Sequence, residues 1–62
     1  MPLYHILSES KLMGAYMHTI QAKCPESALN TLSQDERNLS KYLIEDSTGN
    51  KIPIIKGKLK CG

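Results

Sequence analysis

The stretch Ala15–Leu32, AYMHTIQAKCPESALNTL, changes from the two-residue period of a strand to the opening of a helix. In Ala15–Ala22 the residues Tyr16, His18 and Ile20 share one face, as the alternation of side chains along a β-strand requires. A proline and an acidic residue follow, and both are typical of the first turn of a helix. The sequence therefore predicts a strand followed directly by a short helix.

The predicted helix begins near Pro25 and carries a narrow apolar stripe made of Ala28, Leu29 and Leu32. A stripe of this kind is able to lie on one face of a sheet. The segment Gln34–Asn38 is polar and charged, so we expect the apolar periodicity to end there after two or three turns.

Strand character returns on both sides of this unit. Leu3–Leu7 follows a proline and predicts a first strand, joined to Ala15–Ala22 by a loop over Ser8–Gly14. Leu39–Glu45 predicts a third strand, and Asp46–Asn50 after it is the strongest turn signal in the chain.

The last predicted strand is Lys51–Cys61, in which Pro53 favours an edge position because proline leaves a gap in the hydrogen-bond ladder. Together these elements predict one domain over residues 1–62, of the α+β class. We expect a small antiparallel sheet of about four strands with one short helix, in the order β-β-α-β-β.

Positive charge is concentrated at the end of the chain. The last twelve residues carry four lysines and no acid, whereas the first fifty carry six carboxylates against four basic side chains. The four are Lys51, Lys56, Lys58 and Lys60, and their local field exceeds what the net charge of +2 suggests. We predict that these four lysines contact nucleic acid.

Lys56, Lys58 and Lys60 occupy alternate positions of the last predicted strand, and we call them the lysine row. Alternate residues of a strand lie about 6.6 Å apart, similar to successive phosphates of a nucleic-acid strand, so the row could follow a backbone. A bulge at Gly57 would redirect the lysines and stays open as an alternative. Lysines on an edge strand also discourage edge-to-edge aggregation, and both roles are compatible.

A chain of 62 residues without tryptophan or phenylalanine builds only a small core. Cys24 and Cys61 are too few for a disulfide framework, and no signal segment or membrane-spanning run is present, which favours an intracellular protein with reduced thiols. We expect no cofactor and no membrane partner. Oligomerisation or a partner surface is then the remaining source of extra stability.

Other chemically active residues favour ordinary structural roles. His5 and His18 could bind a metal as neighbours in the hairpin, yet half-buried structural histidines are more common, and we predict no metal ligand. Cys24 at a helix start is expected to be a small buried side chain rather than a nucleophile. Glu45 and Asp46 are expected to cap or solvate the turn rather than act as an acid–base pair.

Two stretches resemble a known family, namely Gly14–Leu32 (GAYMHTIQAKCPESALNTL) and Leu43–Leu59 (LIEDSTGNKIPIIKGKL). They resemble the small chromosomal protein of Methanosarcina-type archaea and its relatives in large DNA viruses, with correspondence at the positions Pro25, Ala28, Gly49, Lys51, Lys56 and Gly57. The order of elements is also similar to that of LX-type ribosomal proteins and of podovirus inhibitors of bacterial RNA polymerase. These resemblances imply a binding role.

The expected function is a small non-catalytic binding protein, virus-encoded or accessory, that contacts nucleic-acid backbone through a basic C-terminal hairpin and without sequence specificity. It would act in the host cytoplasm, the nucleoid or nucleus, or the virion, and a homo-oligomer is possible. The alternative is a structural or interaction protein, such as a minor virion component or an inhibitor of a host enzyme. That protein would dock through an exposed edge strand at Ile52–Ile55 or through an apolar patch of Met and Tyr side chains.

Overall fold

A computed structural model describes residues 1–60 of the chain. These residues form five strands and two short helices: β1 Leu3–Ser10, β2 Gly14–Gln21, α1 Pro25–Asn30, α2 Gln34–Leu39, β3 Ser40–Glu45, β4 Lys51–Ile55 and β5 Lys58–Leu59. Neighbouring strands are antiparallel in the order β2-β1-β3-β4-β5. The predicted α+β class is confirmed, with one more strand and one more helix than expected.

The first hairpin is longer than predicted. β1 and β2 pair along their whole lengths, from Leu3 opposite Gln21 to Ser10 opposite Gly14, so the loop predicted at Ser8–Gly14 is wrong. Polar residues continue the strand because their side chains find partners, as when Ser10 Oγ accepts a hydrogen bond of 2.9 Å from a backbone N–H in the turn.

Helix α1 begins where the sequence predicts. Cys24 is its N-cap, with a sulfur that accepts a hydrogen bond from the Ser27 N–H at 3.4 Å, and Pro25 occupies the first helical position. Ala28 and Leu29 are buried, while Leu32 packs against the core from just beyond the helix. The predicted apolar stripe is therefore confirmed.

Helix α2 was missed by the apolar periodicity, because none of its residues is fully buried. Its start is fixed by Ser33, whose Oγ accepts a hydrogen bond from the Glu36 N–H at 3.4 Å. The pattern Ser-Gln-Asp-Glu over residues 33–36 is the sequence signature of a capping box. A local capping signal thus starts a helix where no apolar stripe does.

The core lies between the helices and one face of the sheet, which we call the covered face. Its buried apolar residues are Tyr4, Ile6, Ala22, Ala28, Leu29, Leu43 and Ile54. Strand residues of the opposite parity, such as His5, Leu7, Tyr42 and Ile44, form the other face, which we call the open face. The buried residues of α1, Ala28 and Leu29, belong to the core on the covered face.

A β-bulge interrupts the pairing of β1 with β3. Leu7 lies opposite Tyr42, but the next residue, Ser8, lies opposite Ser40, so Lys41 has no partner. Ser40 is buried, with Oγ 3.4 Å from Ser8 Oγ and donating to a backbone carbonyl of α2 at 2.8 Å. The bulge carries the chain directly from helix to sheet.

The end of the chain is a second hairpin rather than one strand. β4 stops at Ile55, Lys56 and Gly57 have φ angles of 53° and 75°, and β5 returns antiparallel from Lys58. Positive φ at both central residues is the requirement of a type I′ hairpin turn. The single strand predicted over Lys51–Cys61 is therefore wrong, and Cys61 lies outside the described residues.

Candidate functional site

The reversal at Lys56 and Gly57 separates the lysines that the sequence places in one row. Lys56 lies in the turn, Lys58 begins β5, and Lys60 follows β5, with its N–H donating to Pro53 O at 2.9 Å. All three side chains are exposed. The evenly spaced lysine row is therefore wrong, because a two-residue turn replaces the proposed bulge. What remains is a cluster of lysines around the second hairpin.

Lys51 lies at the other end of β4 and is separate from that cluster. Its Nζ is 4.5 Å from the centroid of the Tyr42 ring, a cation–π contact on the open face. The edge predicted at Ile52–Ile55 is also largely covered, because β5 pairs with Ile54 and Ile55.

A cleft lies between the two helices and the second hairpin, with a volume of about 430 Å³. Its charged and amide-bearing residues are Glu26, Asn30, Gln34, Arg37, Lys56 and Lys58. We call this feature the cleft. It brings two of the predicted lysines together with an arginine that the sequence patterns did not single out.

Arg37 is held in the cleft by neutral groups. Its Nη1 donates to Asn30 Oδ1 at 3.1 Å and its Nη2 donates to Gln34 Oε1 at 3.0 Å. Its Nε is buried without a hydrogen-bond partner among the described residues. Because amide oxygens orient the guanidinium without neutralising it, Arg37 keeps its full positive charge and one unused N–H on each terminal nitrogen.

The cleft carries an excess of positive charge. The salt bridges within residues 1–60 join His5 to Asp46 and His18 to Glu36, so the lysines and Arg37 take no part in them. Three cations, Arg37, Lys56 and Lys58, line the cleft against one carboxylate, Glu26. Such a site favours an anion.

Gly57 fixes the distance between the hairpin and α2. A Cβ at this position would lie 3.2 Å from Asn38 Oδ1 and 3.5 Å from the Arg37 Cβ, in addition to the strain of a positive φ. Only glycine combines this turn conformation with such a close approach. The same residue therefore shapes the turn and one wall of the cleft.

The two histidines lie on opposite faces of the sheet, since Ile6 rather than His5 faces His18. His5 lies on the open face, with Nδ1 3.1 Å from Thr19 Oγ1 and Nε2 2.9 Å from Asp46 Oδ1. These bonds tie β1, β2 and the β3–β4 turn together. Among the described residues no group of three or more potential metal ligands is present.

His18 belongs to a cluster that joins β2 to α2. Glu36 Oε2 accepts a hydrogen bond from Tyr16 OH at 2.8 Å and lies 3.2 Å from His18 Nε2. The hydrogen bond to Glu36, followed by burial, raises the pKa of Tyr16 above its ordinary value. Glu36 is thus used for packing one helix onto the sheet.

Cys24 is exposed, which corrects the expectation of a buried side chain. As the N-cap, Cys24 lies at the exposed end of α1, with its Sγ 3.3 Å from the Ser27 Oγ. Hydrogen bonds from Ser27 lower the pKa of the Cys24 thiol.

Hydrogen bonds hold Glu45 and Asp46 in the turn that follows β3. The Glu45 N–H donates to Asn50 O at 2.8 Å, and the Asp46 N–H donates to Leu3 O at 3.1 Å. Glu45 Oε1 lies 3.3 Å from Ser47 Oγ, while the Asp46 carboxylate pairs with His5. Their side chains do not face each other as an acid–base pair in these contacts.

Comparison with family models, with curated proteins and with solved structures finds no match to this chain. The resemblances stated from the sequence therefore stay predictions. None of the described helices is long and apolar enough to cross a membrane.

Proposed function

We propose that this chain is a small non-catalytic accessory protein, viral or cellular, that binds the phosphates of nucleic-acid backbone. The observation that supports the proposal is the convergence of Arg37, Lys56 and Lys58 on one cleft without a salt bridge to any described carboxylate. Lys60 extends the positive surface from the end of β5. Lys51 contributes a separate contact from the open face.

The chemistry of the cleft favours phosphate over an apolar ligand. Six of the eight residues that line the cleft carry a charged or amide group, which supplies hydrogen-bond donors beside its apolar surface. An arginine presents a planar fork of donors that matches phosphate, and lysines add mobile point charges around it. The described lining includes no aromatic ring on which a base could stack, so binding would depend on backbone and shape.

A fluorescence anisotropy titration tests this proposal, with labelled mixed-sequence DNA in duplex and single-stranded form at two or more salt concentrations. Four phosphate contacts, from Arg37, Lys56, Lys58 and Lys60, predict a slope of log K against log salt of about −3.6 on duplex, and the separate contact from Lys51 brings it to about −4.5. Absence of binding at low salt contradicts the proposal.

Charge reversal separates the cleft from general electrostatic attraction. Lys58→Glu and the more conservative Arg37→Gln should each weaken binding, with a smaller loss for Lys51→Glu on the open face. Lys11→Glu in the first hairpin turn is the matched control, because it makes the same change of net charge at an exposed lysine outside the cleft. Equal losses from Lys11→Glu and Lys58→Glu would show that the cleft has no special role.

The competing proposal is an interaction protein, such as a minor virion component or an inhibitor of a host enzyme. The open face supports it, because Met17 and Ile55 there are 50% and 53% exposed. Stable copurification with a large particle or enzyme, unaffected by Lys58→Glu, would favour this reading over nucleic-acid binding.

A further inference from the structure

The outer edge of β2 is a free sheet edge. β1 pairs with one side of β2 over its whole length, and no strand within residues 1–60 pairs with the other. The Ala22 N–H donates to Pro2 O at 3.1 Å and therefore points toward β1. Since backbone groups alternate along a strand, those of Ala15, Met17, Thr19 and Gln21 point outward.

This edge lacks the features that usually prevent strand pairing. The sequence of β2, GAYMHTIQ, contains no proline and no lysine, arginine, aspartate or glutamate. Natural edge strands are commonly short, charged, interrupted by proline or bulged. The opposite edge of this sheet follows that rule, because β5 has two residues and begins with Lys58.

We propose that two copies of this chain pair through β2, antiparallel and related by a two-fold axis, so that the sheet of one continues into the sheet of the other. If the covered faces of both copies lie on the same side of the joined sheet, odd-numbered residues of one β2 must lie opposite odd-numbered residues of the other. The register centred on His18 joins all four outward residues, with Ala15 opposite Gln21 and Met17 opposite Thr19 of the second copy. This arrangement makes about eight backbone hydrogen bonds.

The side chains that meet in this register are compatible. Tyr16 lies opposite Ile20 of the second copy on the covered side, which forms the aromatic–aliphatic pair that stabilises antiparallel strands. On the open side Met17 lies opposite Thr19. The two His18 side chains meet at the axis, and each has its Nε2 3.2 Å from Oε2 of Glu36 in the same copy, so this carboxylate already has a partner within its own chain.

A pair of matched substitutions tests the dimer by sedimentation velocity over a range of concentrations. Met17→Lys places one charge from each copy on the paired edges, at diagonal positions, and should raise the dimer dissociation constant by about tenfold or more, since like charges on neighbouring strands oppose pairing. Met13→Lys makes the same chemical change in the neighbouring turn, where Met13 is 76% exposed, and should leave the constant unchanged.

Hydrogen exchange of single amides identifies the surface. In the dimer the outward amides of Met17, Thr19 and Gln21 should be protected from exchange. In Met17→Lys these amides should exchange rapidly. The amides of Tyr16 and Ile20 should still exchange slowly, which shows that the hairpin remains folded. A chain that stays monomeric at millimolar concentration overturns the proposal. So does a dimer in which the outward amides exchange rapidly or in which Met13→Lys dissociates the copies equally.

Discussion

The two hairpins of this molecule differ in almost every physical respect. The first, β1 with β2, pairs eight residues on each strand, supplies Tyr4 and Ile6 to the core and has no charged residue on β2. The second, β4 with β5, pairs two positions and is surrounded by lysines. The first hairpin contributes two buried core residues and no charge from β2, whereas the second contributes one, Ile54, together with the exposed lysines around its turn.

Removing a core side chain should give the largest difference between the hairpins. Ile6→Ala in β1 removes a fully buried side chain and should cost about 3 kcal/mol of unfolding free energy, within the range for isoleucine in a core. Ile55→Ala in β4 makes the same truncation at a half-exposed site and should cost less than about 0.5 kcal/mol. Urea denaturation followed by circular dichroism measures both unfolding free energies. Similar costs would contradict the burial of Ile6 and the exposure of Ile55.

Glycine replacement compares the two turns. Gly57→Ala combines a positive φ of 75° with a Cβ 3.2 Å from Asn38 Oδ1, and should cost about 2–3 kcal/mol. Gly14→Ala has a similar φ of 72° but meets nothing within 4 Å, so only the strain of about 1–2 kcal/mol applies. Thermal unfolding of both variants checks the order, and a greater loss at Gly14 would mean that the hairpin does not press against α2.

Asparagine at the strained lysine should strengthen the weaker hairpin. Lys56 adopts φ 53°, a conformation that asparagine tolerates better, so Lys56→Asn should stabilise the fold by about 0.5–1 kcal/mol. The proposed binding to DNA should weaken at the same time because one cation is lost from the cleft. Chemical denaturation and the anisotropy titration together detect the two opposite effects.

The smallest expected effect concerns the hydrogen bond from the Tyr16 hydroxyl to Glu36, which joins the first hairpin to α2. The pKa of Tyr16 is raised in the fold, so its contribution to stability is present below the unfolded pKa and is lost as pH rises through the folded value. Tyr16→Phe should therefore lose less stability than the parent chain when pH rises from neutral to strongly alkaline. Some loss should persist, because burial also raises the pKa of Tyr4. Identical alkaline losses in the two proteins would contradict this role.

Much of the fold could be predicted because its signals are local. The strand at Ala15–Ala22, the helix start at Pro25 and the turn at Asp46–Asn50 each depend on alternation, capping or turn residues that stand close together in the chain. The break at Lys56 and Gly57 was not predicted because lysine rarely occupies a positive φ, so only the glycine signalled the turn.

The cleft could not be predicted from any one segment. Its residues come from α1, α2 and the second hairpin, which meet only in the folded chain. Arg37 was missed because Gln34–Asn38 lacks an apolar stripe, although the capping signature at Ser33 and Glu36 marks the helix. Charge concentration along the chain indicated the four lysines but not their directions, which depend on the turn at Lys56 and Gly57, and Lys51 lies apart from the other three.

The bulge at Lys41 has a consequence for the tolerance of this chain to length changes. Regular pairing past Leu7 and Tyr42 would set Lys41 opposite Ser8 and direct an ammonium group into the apolar interior. The surplus residue lets Lys41 stay at the surface while Ser40 turns inward. Deletion of Lys41 itself should therefore be the shortening that this junction accepts best, because Ser40 would then follow the regular pairing and keep its buried position opposite Ser8.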